Sequence, residues 1–115
     1  MDKSLKARMR AGQRANGFWV ELFSPAAAEV MAAAGYDCAM IDLEHGAADL
    51  GDAVAVMRAM AASGCTPLVR VPANDPAWMK RVLDAGAAGV MIPAVNNAAV
   101  HIDPTARVFP GHSSG

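Results

Sequence analysis

Short apolar runs alternate along this chain with segments that carry helix start signals, and this alternation limits the possible folds most strongly. The runs are nearly continuous in apolar residues and are bounded by Gly, Pro or Asp, as is typical of parallel strands covered on both faces. Successive runs start roughly 20 to 30 residues apart, as βαβ units require. Strands are predicted at Phe18–Phe23, Cys38–Asp42, Leu68–Val71 and Gly89–Pro93.

The segments between the strands read as helices. Two of them open with an N-cap residue directly before a proline, at Ser24-Pro25 and Asp75-Pro76, and proline suits the first helical position. Gly35 and Gly86 stand where two helices should end, because glycine adopts the left-handed conformation of a helix C-terminus. Helices are predicted at Ser4–Met9, Ala26–Ala34, Leu50–Ala62 and Ala77–Asp84.

This order of elements leaves two architectures, an open doubly wound sheet or a (β/α)8 barrel. The chain contains neither a Gly-x-Gly-x-x-Gly nor a P-loop motif, so nothing supports a nucleotide-binding sheet. Four βα units are half of those in a barrel, whose usual length is roughly 250 residues.

Composition narrows the function classes. The chain has 115 residues, is 54% hydrophobic and carries a formal net charge of −1, which fits one globular unit. Its basic residues are dispersed, so neither nucleic acid nor an anionic membrane is expected as a partner. The charged N-terminus lacks the apolar core of a signal peptide, and the apolar runs are too short to span a bilayer. A cytoplasmic location is therefore expected, with Cys38 and Cys65 as reduced thiols in apolar surroundings.

Function in parallel α/β folds collects at the carboxyl ends of strands, and the second strand ends in Asp42-Leu43-Glu44-His45. His45 is the natural general acid or base, because the ordinary pKa of histidine lies near neutrality. Asp42 or Glu44 would orient its ring. Spacing alone favours the plainer interpretation, a solvated acidic loop. Metal binding by three residues so close in sequence is a weaker alternative.

Arg70 stands in the otherwise apolar run Leu68–Pro72. A guanidinium there is costly to bury without an anionic partner. One interpretation is a clamp for a substrate carboxylate or an enolate oxygen. The other is a structural salt bridge with Asp42 or Glu44 on the neighbouring strand end, and the sequence favours neither.

The remaining polar and aromatic residues are weaker candidates. Glu21 and Ser24 are candidates at the first strand, and Asn96 and Asn97 follow the fourth. Trp19 and Trp78 are interpreted as core or subunit-contact residues. Lys80 and Arg81 lie on a helix, so no lysine at a strand end is a good candidate for a Schiff base. Asp84 ends that helix at the non-catalytic side of the sheet, and no role is assigned to His101 or His112.

A series of blocks in this chain resembles the HpcH/HpaI aldolases in order and spacing, over about residues 5 to 99. The most specific blocks are Asp-x-Glu-His at Asp42–His45, Val-Arg-Val-Pro at Val69–Pro72 and Leu-Asp-x-Gly at Leu83–Gly86. The resemblance implies the N-terminal half, about four βα units, of a (β/α)8 barrel. It also implies a homo-oligomeric, divalent-metal-dependent aldolase that cleaves hydroxylated 2-oxo acids to pyruvate and an aldehyde.

The resemblance also implies roles for single residues. His45 would be the catalytic acid/base, and Arg70 would stabilise the enolate-like transition state at the keto oxygen. An aspartate matching Asp84 would raise the basicity of the histidine, although the predicted strand ends favour Asp42 for that task. The ion, Mg, Mn or Co, would be held by a Glu and an Asp expected beyond residue 115, so no metal ligand is assigned in this chain.

The match to the family stops near Ala99, where Val100–Pro104 replaces an expected charged helix. Residues 1–99 are therefore interpreted as a partial barrel domain and residues 100–115 as an irregular tail, with a frameshifted or truncated product, inactive alone, as the working hypothesis. Two alternatives stay open. One is a small α/β module that binds a carboxylate without catalysis, and the other is a half-barrel subunit completed by a second polypeptide.

Overall fold

The computed structural model describes residues 5–21, 23–45 and 48–93. Within these ranges helices and strands alternate in the predicted order: α1 Leu5–Arg10, β1 Gly17–Val20, α2 Pro25–Ala33, β2 Cys38–Asp42, α3 Leu50–Met60, β3 Thr66–Arg70, α4 Pro76–Asp84 and β4 Gly89–Met91. Two sets of predicted residues lie outside the described ranges: Asn96 and Asn97, which follow the fourth strand, and the tail, residues 100–115.

The four strands form one parallel sheet in the order β1-β2-β3-β4. Each strand therefore pairs with its neighbour in sequence, and each crossover moves the chain in the same direction. A doubly wound sheet reverses direction at a switch point, whereas a barrel does not. The observed order is that of a barrel, which resolves the choice that the element order had left open.

The two faces of the sheet have different cores. The face towards α2, α3 and α4 is apolar and closed, with Ile41, Val69 and Val90 each 0% exposed. The opposite face carries a smaller cluster in which Leu5 of α1 packs on Met40 and Leu68. Because side chains alternate along a strand, the second face, called here the inner face, also receives the last residues of β2 and β3.

The helix caps predicted at Ser24 and Asp75, and the helix-ending glycines Gly35 and Gly86, are present in the structure. Ser24 Oγ accepts a hydrogen bond from the Ala27 N–H at 3.2 Å, and Asp75 Oδ1 accepts one from the Ala77 N–H at 2.9 Å. Each such cap stabilises a helix by about 1 kcal/mol. Gly35 and Gly86 have φ of 104° and 121° at the ends of α2 and α4, where a side chain would be strained.

A salt bridge joins helix α1 to the amino end of the sheet. Arg8 of α1 donates from Nη1 to Asp37 Oδ1 at 2.5 Å, and the Asn16 N–H donates to Asp37 Oδ2 at 2.8 Å. The hydrogen bond from Arg8 holds the pKa of Asp37 below its ordinary value. These contacts hold α1 against the loops that precede β1 and β2.

Both cysteines are free and lie near this amino end. Cys38 is half-buried and packs on the inner face, whereas Cys65 belongs to the core under the helices. Burial raises the pKa of the Cys65 thiol to about 11 and also raises that of Cys38. Among the described helices none combines the length and apolarity needed to cross a membrane.

Candidate active site

An ion pair joins the carboxyl ends of β2 and β3. Asp42 and Arg70 are the last residues of these strands and are partners in the parallel register. Arg70 donates from Nε to Asp42 Oδ1 at 3.1 Å and from Nη2 to Asp42 Oδ2 at 2.5 Å. The Asp42 side chain is 0% exposed and that of Arg70 is 17% exposed. The salt bridge considered as one interpretation of Arg70 is therefore present.

Three further N–H groups converge on the Asp42 carboxylate. The backbone N–H groups of Glu44 and His45 donate to Oδ1 at 2.9 and 3.2 Å, and Trp19 Nε1 donates to Oδ2 at 3.1 Å. Burial by itself would raise the pKa of Asp42, but these hydrogen bonds together with those from Arg70 hold it well below its ordinary range. Asp42 is thus ionised at neutral pH, and the backbone of Glu44 and His45 folds around its carboxylate.

His45 lies against this centre with its ring open to solvent. Its Nδ1 is 3.3 Å from Asp42 Oδ2, and its Nε2 is 3.7 Å from Glu44 Oε1. Arg70 Nη2 also contacts Nδ1. The side chain is 59% exposed. A histidine oriented by a carboxylate on one side and accessible on the other has the geometry of a general acid or base.

The guanidinium of Arg70 is held on several sides. Its Nε is 3.3 Å from Glu44 Oε2, and its central carbon lies over the Trp19 ring, 4.9 Å from the ring centroid. The hydrogen bond to Asp42 raises the pKa of Arg70, and the charges of Glu44 and Glu21 act in the same direction. Within the described ranges the guanidinium uses Nε and Nη2 for its hydrogen bonds, and Nη1 has no such partner.

The other predicted candidates lie elsewhere or have other tasks. Asp84 is exposed and ends α4, which leads to the amino end of β4, so within one chain it lies at the opposite edge of the sheet from His45. Ser24 is occupied as a helix cap. Arg81 packs over Trp78 at 5.8 Å on α4. Asp42, Glu44, His45 and Arg70 therefore form the cluster, and Asp84 does not join it.

Trp19 is a member of the cluster that the sequence interpretation missed. Sequence analysis predicts a core or subunit-contact residue at this position. In the structure it is 46% exposed and contacts both Asp42 and Arg70. A signal was present in the sequence. Phe18 and Val20 are apolar neighbours that pack under the helices, so strand alternation sends Trp19 to the face that carries Asp42.

The described residues do not fit a divalent metal ion. No group of three or more His, Cys, Asp or Glu side chains among them is arranged to hold one. Both oxygens of Asp42, the best-placed carboxylate, already accept several hydrogen bonds. At this edge of the sheet Asp42 and Glu44 instead contact the arginine and the histidine.

Comparison with known proteins shows which family this chain resembles in sequence and in fold. The family model for HpcH/HpaI aldolase/citrate lyase matches residues 15–107. A hydroxypyruvate/pyruvate aldolase of Paraburkholderia phytofirmans is 45% identical over 96 residues, which are 82% of this chain and 37% of the relative. A 4-hydroxy-2-oxo-heptane-1,7-dioate aldolase of Escherichia coli is 37% identical over 98 residues, covering 85% and 37%.

Solved structures agree in fold. The citrate synthase SbnG superposes with a TM-score of 0.73 at 38% sequence identity, covering 80% of this chain and 38% of its own. An HpcH/HpaI aldolase from Desulfitobacterium hafniense gives 0.72 at 34% identity, covering 80% and 36%. The chain therefore spans little more than a third of the length of the relatives that it matches.

Proposed function

The chain belongs to the HpcH/HpaI aldolase/citrate lyase family, and from that premise we propose that it carries the acid–base and anion-stabilising part of an aldolase site. The reaction would cleave hydroxylated 2-oxo acids to pyruvate and an aldehyde. One observation supports this above the others: an accessible histidine, and an arginine whose Nη1 has no hydrogen-bond partner among the described residues, share one buried carboxylate.

Retro-aldol cleavage gives each of these groups a task. His45 takes the proton of the substrate hydroxyl, the carbon–carbon bond breaks, and its electron pair moves into the fragment that bears the keto group. The resulting enolate carries negative charge on the former keto oxygen, which Arg70 stabilises through Nη1. Protonation of the enolate carbon then yields pyruvate, and the former hydroxyl carbon leaves as the aldehyde.

Asp42 would serve the two groups rather than the substrate. Its carboxylate accepts the hydrogen bonds of Arg70 and lies beside His45 Nδ1, so it keeps the guanidinium charged and stabilises the imidazolium that forms when His45 takes a proton. A role for Asp84 belongs to this proposal only across a subunit contact, since its own chain places it at the other edge of the sheet.

Further features of the whole protein are proposed with this function. The family resemblance implies a divalent ion, but none of the described residues is assigned to it. A homo-oligomeric assembly and a cytoplasmic location are likewise part of the proposal. Since the chain covers 37% of the Paraburkholderia relative, we expect the 115-residue chain by itself to release negligible pyruvate.

A chimera tests the proposal directly. Residues 5–93 of this chain would replace the matching segment of the Paraburkholderia aldolase, and pyruvate release from a hydroxylated 2-oxo acid would be followed with added Mg²⁺ or Mn²⁺. We expect the chimera to be active and His45→Ala to lower kcat by roughly 10²- to 10⁴-fold.

The matched control is Trp78→Phe, which changes a tryptophan on α4, outside the cluster, and should leave kcat within about twofold. The proposal fails if the chimera melts cooperatively but is inactive, or if His45→Ala retains full activity. Binding of oxamate to the chain without catalysis by the chimera would instead support the carboxylate-binding module.

A second candidate, bond formation in place of cleavage, is favoured by the structural likeness to the citrate synthase SbnG. The same groups would then stabilise the nucleophilic enolate of the condensing acid. Incubating the chimera with a 2-oxo acid and a second carbonyl compound, and measuring the condensed acid against released pyruvate, separates the two directions.

A further inference from the structure

Trp19 lies on the inner face of β1, an edge strand of the described sheet. Its register partner on β2 is Met40, two residues before Asp42. The side chain is 46% exposed although it is a large aromatic in the middle of a strand. Within the described residues, burial alone therefore does not account for a tryptophan at this position.

The contacts of the Trp19 side chain involve both partners of the ion pair. Its Nε1–H donates to Asp42 Oδ2 at 3.1 Å, and its ring lies 4.9 Å from the central carbon of the Arg70 guanidinium. An indole combines an in-plane donor, which suits a carboxylate, with an electron-rich face, which suits a cation. Phenylalanine offers the face without the donor, and aliphatic residues offer neither.

The ion pair needs such a support because Asp42 has several competing donors. Arg70, His45 and two backbone N–H groups all approach the same carboxylate. A donor from β1 fixes the position of Oδ2, and the ring fixes the plane of the guanidinium. Without them Arg70 would be held only through its Nε and Nη2, since its Nη1 has no hydrogen-bond partner within the described ranges.

We propose that Trp19 is a positioning residue of this site, which holds Asp42 through its indole N–H and Arg70 through its ring, so that both keep their placement relative to His45. The consequence for catalysis rests on the proposed function. The positioning itself does not, and it can be measured in the 115-residue chain without substrate.

Hydrogen exchange of side-chain N–H groups in the full chain, followed by NMR, tests the positioning. We expect the indole N–H of Trp19 to exchange about tenfold more slowly than that of the less exposed Trp78, because a charge-assisted hydrogen bond protects it. This comparison needs no variant, so it holds even if a substitution prevents folding. Equal exchange, or faster exchange at Trp19, overturns the proposal.

Two substitutions then separate the donor from the ring. Trp19→Phe should accelerate exchange of the Arg70 Nε–H several-fold, and Trp19→Leu should accelerate it further, because the ring is lost as well. Trp78→Phe is the control and should leave the Arg70 signal unchanged. Identical Arg70 exchange in all three variants and the wild type overturns the proposal, since a merely structural tryptophan would give that result.

The same experiment keeps the two proposals apart. An inactive chimera with slow exchange at Trp19 would remove the aldolase function and leave the positioning role intact. An active chimera with fast exchange at Trp19 would support the aldolase function and remove the positioning role.

Discussion

An Asp–Arg ion pair lies at each end of β2, and the two pairs differ in their burial and in their neighbours. At the amino end Asp37 meets Arg8, with side chains 21% and 33% exposed. At the carboxyl end Asp42 meets Arg70, with side chains 0% and 17% exposed. The first pair joins a helix to two loops. The second is surrounded by a histidine, a second acid and a tryptophan.

The difference shows what turns an ion pair into a candidate site. Both arginines hold their aspartates ionised, so the charge itself does not distinguish them. Their surroundings do: no histidine lies among the described contacts of Arg8 and Asp37, whereas His45 lies against Asp42 and Arg70 with an exposed ring. Burial at the carboxyl end also strengthens each interaction that a substrate anion would make.

The largest expected effect is on catalysis in the chimera. Arg70→Ala should lower kcat about 100-fold, the scale of a lost oxyanion donor, whereas Arg8→Ala should leave it within about twofold. Steady-state kinetics of pyruvate release measures both. Comparable losses in the two variants would mean that the arginines differ only in location.

The next effect is on stability. Asp42→Ala leaves Arg70 largely buried without its partner, which should cost on the order of 3 kcal/mol, whereas Asp37→Ala should cost less because its pair is partly solvated. Urea unfolding of the chain followed by circular dichroism measures both. Glu29→Ala, at an exposed position of α2, is the control and should stay within about 0.5 kcal/mol.

Acid should remove the stability that the two aspartates contribute, and the contribution of Asp42 should be the larger one. A carboxylate whose pKa is lowered by folding contributes stability above its unfolded value, about 3.9, and loses it as the pH falls towards the folded value, because the unfolded chain binds the proton more readily. Melting temperatures should therefore fall below about pH 4, and Asp42→Asn should flatten that decline more than Asp37→Asn does. A decline unchanged by Asp42→Asn would contradict its lowered pKa.

The smallest expected effect concerns how closely Gly17 of β1 packs on Cys38 of β2, at the amino end of the sheet. A Cβ added at Gly17 would lie 2.7 Å from Cys38 Sγ and 3.2 Å from Cys38 O, so Gly17→Ala should cost about 1 kcal/mol through overpacking. Part of this should return in the double variant with Cys38→Ala, which removes the sulfur but not the backbone oxygen. No loss in the single variant would show that this end is looser than its contacts imply.

Much of the fold was predictable because its signals are local. The order of elements and the caps at Ser24 and Asp75 were predicted and are confirmed. The first strand was predicted to reach Phe23 but ends at Val20, where its pairing with β2 ends. Asp84 was predicted at the non-catalytic side of the sheet, and the structure places it there.

The candidate site was predictable only in its parts. Asp42, His45 and Arg70 were selected by position at strand ends, but the choice between a clamp and a salt bridge for Arg70 stayed open. The structure shows that the salt bridge is real and that it leaves one edge of the guanidinium without a partner in the described ranges. A salt bridge and a clamp are therefore compatible.

The sequence by itself determined which segments are strands and helices, since apolar periodicity, prolines and caps act within a few residues. Tertiary structure decided which charges meet. Asp42 and Arg70 stand 28 residues apart, and Trp19 joins them from a third segment. Such contacts depend on strand register, which the packing of whole faces sets and no local pattern encodes.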